Sequence, residues 1–126
     1  MSGYAVRPID GMAAVHGGLV KLAAAELGVR SFGMQVLDFP AGFSDYPAHD
    51  HADDGQEEVY VVLRGAAECE VGGERVRLDP GRMLWVGPGT LRRLEPGPDG
   101  VRILAIGSPT DGSYERPAGF RLAVDA

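Results

Sequence analysis

Two of the three histidines in this 126-residue chain, His49 and His51, stand one residue apart in the stretch HDHADDGQEEVYVVLRG, and the third, His16, lies upstream in a Gly-rich stretch. On extended backbone, residues i and i+2 project to the same face, so His49 and His51 can offer two imidazoles to one metal ion. Glu58 can add an inward carboxylate from a neighbouring strand. Two neutral imidazoles and a carboxylate suit iron(II) and other divalent ions, so iron, manganese, nickel, copper and zinc are all candidates. A register slip of one residue would bring Glu57 in place of Glu58, and Gln56 could reach the same pocket from the loop. His16 reads as exposed or locally hydrogen-bonded, and the Asp53-Asp54 pair as a solvated loop without the ligand spacing of a calcium site.

The elements that must position these groups are short strands. Gly occurs 19 times and Pro 9 times, dispersed among short apolar segments rather than gathered in a linker. Strands are expected near Phe32 to Phe39, Glu58 to Leu63, Ala67 to Val71, Arg75 to Leu78, Arg82 to Val86 and Val101 to Ile106. Gly72-Gly73 suits a type I′ hairpin turn, Asp79-Pro80-Gly81 and Gly87-Pro88-Gly89 mark turns, and Pro96 to Gly100 marks a loop. The one helical segment is Leu19 to Leu27, rich in helix formers and followed by Gly28 as its terminator. This pattern describes a β sandwich, jelly roll or barrel preceded by a short helix.

Strand parity divides the side chains. Glu58, Tyr60 and Val62 share one face of their strand, and Val59, Val61 and Leu63 the other. Both faces are largely apolar, so the second needs a cover: another sheet, the N-terminal segment or a second subunit, which makes a homodimer a reasonable expectation. Tyr60 and Trp85 are candidates for a substrate-contacting pocket wall, with Met83 beside Trp85 on one strand face; core packing is the alternative for each. Cys69 shares a face with Ala67 and Val71 and reads as a small buried hydrophobe.

Length and composition fit one globular domain, with 44% hydrophobic and 24% charged residues. A formal net charge of −6 disfavours nucleic acid and anionic lipid as partners. A single cysteine excludes an intramolecular disulfide, the N-terminal residues lack a secretory apolar stretch, and no run spans a bilayer, so a cytoplasmic location is expected.

The stretch from Gly42 to Gly65, with Gly81 to Pro96, resembles the two motifs of the cupin superfamily. In the first, G-x5-H-x-H-x3,4-E-x6-G, the fixed positions fall on Gly42, His49, His51, Glu58 and Gly65, with six residues rather than five after Gly42 and a lengthened loop of six before Glu58. The second, G-x5-P-x-G-x2-H-x3-N, aligns with Gly81, Gly87, Gly89, Arg92 and Pro96. Only its glycines are kept, and Arg92 stands where the family's last histidine ligand belongs. The resemblance implies an all-β cupin, a double-stranded β-helix or jelly-roll-like barrel: N-terminal segment 1–31, conserved barrel about 32–107 and C-terminal tail 108–126. It resembles the small bacterial single-domain cupins.

A guanidinium cannot ligate a metal and always carries charge. Arg92 therefore either anchors an anionic substrate beside the ion or pairs with Glu58 or Glu57 in a metal-free polar pocket. The function expected is a small-molecule-binding metallo-cupin, a description that includes metal-dependent enzymes of the dioxygenase, isomerase or cyclase type acting on an oxygenated organic acid. The alternatives are a non-catalytic, metal-free cupin that captures an anionic metabolite through Arg92, and a metal-independent enzyme using the histidines as acid and base.

Overall fold

Alternating apolar positions and glycine turns settle most of the chain into antiparallel strands, as seen in a computed structural model that describes residues 3–123. In chain order the elements are β1 (Ala14–Val15), β2 (Val20–Lys21), α1 (Ala23–Leu27), β3 (Gly33–Phe39), β4 (Gln56–Val71), β5 (Glu74–Leu78), β6 (Met83–Val86) and β7 (Arg92–Pro109), with single 3-10 turns at Ile9–Gly11 and Ala118–Phe120. The strands pair in the order β1-β2-β3-β7-β4-β5, and β6 adds to β4.

β4 and β7 organise the barrel. Their N- and C-terminal halves pair along nearly their whole lengths, Glu58 opposite Gly107 at one end and Val71 opposite Arg92 at the other. Register shifts between Val62 and Arg64 and between Gly65 and Ala67 bend the ladder midway. Beyond the bend, β4 pairs with β5 rather than β6, so each long strand serves both walls. The sheet thereby encloses one core: Leu37 and Phe39 of β3 pack in a single cluster with Tyr60, Val62, Cys69, Leu78, Leu94 and Ile103. Cys69 is buried there as a hydrophobe, and burial raises its thiol pKa.

Several expectations shift. The strands expected at Glu58 to Leu63 and Ala67 to Val71 are one bent strand, because the bulges absorb the break at Gly65-Ala66. The loop expected at Pro96 to Gly100 belongs to β7, where Pro96 lies opposite Ala67. The helix is shorter than the Leu19 to Leu27 pattern, since Val20 and Lys21 pair with Leu37 and Val36 of β3 instead. Tertiary pairing outweighs local helix propensity there. Gly28 still ends α1 in the left-handed region, at φ 81°. Gly72 and Gly73 take φ values of 58° and 84° between paired Val71 and Glu74, the two-residue hairpin expected.

The N-terminal segment covers part of the outer sheet face. Met12 and Ala23 pack with Val36, flanked by Ile9, Met34 and Leu104. Arg102 fixes this cover through Nε and Nη2 to the two oxygens of Asp38 at 2.7 and 3.0 Å and through Nη2 to Asp10, while Lys21 Nζ lies 2.8 Å from Asp38. Among the described residues no helix is long and apolar enough to cross a membrane.

The bend depends on Gly65, which sits at φ 75°, and a Cβ there would collide with the carbonyl of Gly100. Gly65→Ala therefore combines a strained backbone with a clash against main chain that cannot rotate away. We expect it to cost at least about 2 kcal/mol, read as a lowered denaturant midpoint. Gly73→Ala, with no atom within 4 Å of the added methyl, should cost less.

Candidate metal and ligand site

Glu58 faces inward from β4, in the same parity as buried Tyr60 and Val62. Glu57 faces the other way and accepts a hydrogen bond from Trp85 Nε1 at 2.8 Å, so the inward carboxylate is that of Glu58. The segment carrying the histidines is held against the turn before β7. His49 N–H donates to Arg92 O and Arg92 N–H to His49 O, both at 2.9 Å, and His51 N–H donates to Pro88 O at 2.7 Å. The Gly87-Pro88-Gly89 turn thus positions the imidazoles through its backbone.

One potential ligand atom from each of His49, His51 and Glu58 lies within 4.8 Å of the others. His51 Nε2 is 3.2 Å and His49 Nε2 is 3.9 Å from Glu58 Oε1. Each ring also meets an acceptor on its far side: His51 Nδ1 lies 3.1 Å from both oxygens of Asp54, and His49 Nδ1 lies 3.3 Å from Pro47 O. A proton on Nδ1 satisfies those acceptors and leaves the Nε2 lone pair facing a carboxylate oxygen, an arrangement that calls for a proton or a cation between them. Outer acceptors that fix the tautomer are the usual support of metal-bound imidazoles. The donor set therefore fits a divalent ion, with His49, His51 and Glu58 as its three ligands.

Arg92 has no exposed surface. Its Nη2 lies 3.6 Å from Glu58 Oε1 and donates weakly to Gly87 O at 3.4 Å, while Nε and Nη1 are buried without a partner. Tyr60 is also buried, and its hydroxyl donates to Glu58 Oε1 at 2.8 Å. Burial alone would raise the Glu58 pKa, but His49, His51 and Tyr60 outweigh it and hold the carboxyl far below the usual range. Contact with Glu58 raises the pKa of His51 against the opposing effect of burial, and Asp54 adds to the rise. Burial beside Glu58 pushes the Tyr46 and Tyr60 phenols above their ordinary value, so both are neutral hydrogen-bonding groups.

Of the residues singled out in the sequence, the fold gathers His49, His51, Glu58, Arg92 and Tyr60. It does not gather Trp85 or Met83. Their partners across the ladder are Val59 and Val61, which face outward, so Trp85 and Met83 are 62% and 75% exposed and form no pocket wall. Their neighbours Leu84 and Val86, opposite Tyr60 and Glu58, are the ones that turn inward. Glu57 brings no ligand to the cluster. Two contributors were missed. Asp54, read as part of a solvated loop, orients His51, and its place three residues after a candidate ligand was the available signal. Tyr46 stacks edge-on against His49 at 5.6 Å between ring centroids, with no sequence signature beyond being aromatic.

The fold and site define a small single-barrel β protein with a two-histidine, one-carboxylate cluster inside the barrel. The family model described as Cupin domain matches residues 35–107, and the chain belongs to that family. Among solved structures it is similar to a cupin protein from Bacteroides fragilis, at 23% identity, covering 95% of each chain with a TM-score of 0.71. It is also similar to the plu4264 protein from Photorhabdus luminescens, at 16% identity over 86% of this chain and 90% of that one, TM-score 0.67. A third is KdgF from Halomonas sp., at 21% identity over 72% and 74%, TM-score 0.59. The comparison with curated proteins gave no match. At these identities the likeness concerns the fold.

The shifts of Glu58 and His51 fix a pH window for the metal-free protein. The lowered Glu58 pKa contributes stability above its ordinary value near 4.5 that is lost as the pH falls, and the raised His51 pKa contributes stability below its ordinary value near 6.5 that is lost as the pH rises. The stability advantage of the wild type over Glu58→Gln should therefore be largest between those values and shrink on both sides. Urea midpoints of the two proteins in chelator, measured from pH 3.5 to 9, test this.

Proposed function

We propose that the protein is a small-molecule-binding metallo-cupin in which His49, His51 and Glu58 hold one divalent ion, and that the ligand is an oxygenated organic acid. The observation that carries the reading is the convergence of both Nε2 atoms on Glu58 while both Nδ1 atoms face fixed acceptors. Three protein ligands leave coordination positions for substrate or water, and a divalent ion so held supplies Lewis acidity to a bound oxygen donor.

The roles of the protein's own groups follow from their contacts. Asp54 and Pro47 O keep the imidazole rings oriented. Tyr60 holds the Glu58 carboxylate by its hydroxyl. Arg92 places a second cation beside the ion, so the occupied pocket has excess positive charge and favours an anionic ligand over a neutral one. Such a site is compatible with enzymes of the dioxygenase, isomerase or cyclase type. The second reading is a metal-free binder of anionic metabolites, and the two partnerless guanidinium nitrogens of Arg92 favour it.

Untagged protein should bind close to one divalent ion per chain by calorimetry and elemental analysis, less tightly in acid because protons compete for the imidazoles. His51→Ala should weaken binding at least about tenfold. Arg92→His should tighten the ion while weakening organic acids. If iron(II), manganese, nickel, copper and zinc all fail to bind, the metal reading is wrong, and loss of acid binding in metal-free Arg92→His would then support the second.

We also propose a homodimer through the outer face of β4 and β6. The N-terminal segment covers that face over β3 and part of β7, but Leu63, Met83 and Trp85 remain 42%, 75% and 62% exposed beside half-buried Val59 and Val61. Sedimentation should show twice the chain mass across the micromolar range, and Met83→Glu with Trp85→Arg should give a folded monomer. A monomeric wild type would remove the proposal.

A further inference from the structure

A cavity of about 490 Å³ opens beside His49 and is walled mainly by carbon: Leu19, Leu37, Phe39, Phe43, Tyr46 and Phe120. Its aromatic wall is continuous with the candidate metal ligands. His51 packs edge-on against His49 at 5.2 Å between centroids and His49 edge-on against Tyr46 at 5.6 Å, while Tyr46 meets Phe39 at 5.1 Å and Phe39 meets Phe43 at 5.0 Å in tilted pairs. Among the described residues, the other polar side chains in the lining are His16, Gln35 and Asp45, and no lysine or arginine lines it. A phosphate or second carboxylate placed there would meet the Asp45 carboxylate with no fixed cation to offset desolvation. His49, which borders the cavity, also faces the Glu58 carboxylate through Nε2.

Part of the lining comes from outside the segment that matches the family. His16, Leu19 and Val20 arrive on the β1–β2 hairpin and Phe120 on the C-terminal 3-10 turn, whereas the match covers residues 35–107. The selectivity of this compartment is therefore a property of this chain, supplied by the segments that fold back over its barrel.

We infer that the cavity holds the body of the ligand, and that the ligand is a monocarboxylate bearing one apolar ring, an aromatic or alicyclic acid, rather than a short aliphatic acid, a sugar acid or a sugar phosphate. The inference deepens the proposed function and rests on its assignment of His49, His51 and Glu58 as the ion's ligands, since that assignment sets the end at which the carboxylate is received. The volume admits a ring with room to spare, the carbon lining gains from burying one, and Asp45, the one carboxylate in the lining among the described residues, repels a second anionic group.

The test titrates benzoate, cyclohexanecarboxylate, acetate, galacturonate and glucose 6-phosphate calorimetrically into untagged protein, with and without bound manganese. Manganese binding is measured first, without acid. The two ring acids should bind the loaded protein at least about tenfold more tightly than the other three. Leu19→Trp, which fills the cavity, and Phe43→Ala, which opens its wall, should each reduce that preference to about threefold or less while manganese stoichiometry stays unchanged. If manganese binds and the five anions do not differ, or the preference survives both variants, the cavity assignment is overturned and the metal reading stands. If manganese does not bind but the ring acids retain their preference, the metal reading is overturned, and with it the end assigned to the carboxylate.

Discussion

The charge on Glu58 is the constraint on which the site depends. A carboxylate largely removed from water is costly to keep ionised unless donors surround it. Here its partners are a phenol, a guanidinium and two imidazoles that face it through Nε2 and donate when protonated, with Arg92 brought from a distant strand. Each depends on Glu58 in return. The imidazoles have no other acceptor at Nε2, and Arg92, without exposed surface, has Glu58 as its only carboxylate within ion-pair distance among the described residues. The barrel brings these groups together, and their mutual neutralisation makes it tolerable to bury them.

That convergence is built by two bent strands. β4 carries Glu58 and Tyr60 before its bulges and Cys69 after them, and β7 starts at Arg92 on one wall and ends beside Glu58 on the other. Because both strands cross between the walls, the ladder that holds the core also fixes the separation of Glu58 from Arg92. The histidines have no such strand. They are held by three backbone hydrogen bonds to the turn before β7 and to Arg92 itself. Their segment is thus anchored to the same residue whose side chain occupies the position of a fourth ligand.

Arg92 gives this cupin its individual chemistry. A histidine there would add a third imidazole to the candidate donors, whereas a guanidinium adds a fixed positive charge and offers no ligand atom. Two of its nitrogens are buried without partners, a state that folded proteins seldom retain without a use. The carbon-lined cavity that His49 also borders supplies a contrasting environment.

The sequence by itself determined the two-residue periodicity, and with it the sharing of a face by Glu58, Tyr60 and Val62, the Gly72-Gly73 hairpin, and the two histidines at metal-ligand spacing. The spacing of the cupin motifs also made the family legible. Local chemistry sufficed because strand parity and positive φ are properties of a few adjacent residues. Which face of β6 turns inward was a different matter. Met83 and Trp85 share a face by parity, but only pairing with Val59 and Val61 decides that it is the outer one. Val20 and Lys21 left the helical pattern because β3 offered them a ladder, and Asp54 became a partner of His51 only through the conformation of its loop. The depth of Arg92 and the cavity walled by Leu19, Phe43 and Phe120 are likewise tertiary facts. They depend on contacts between segments whose separation in sequence carries no signal of their distance in space.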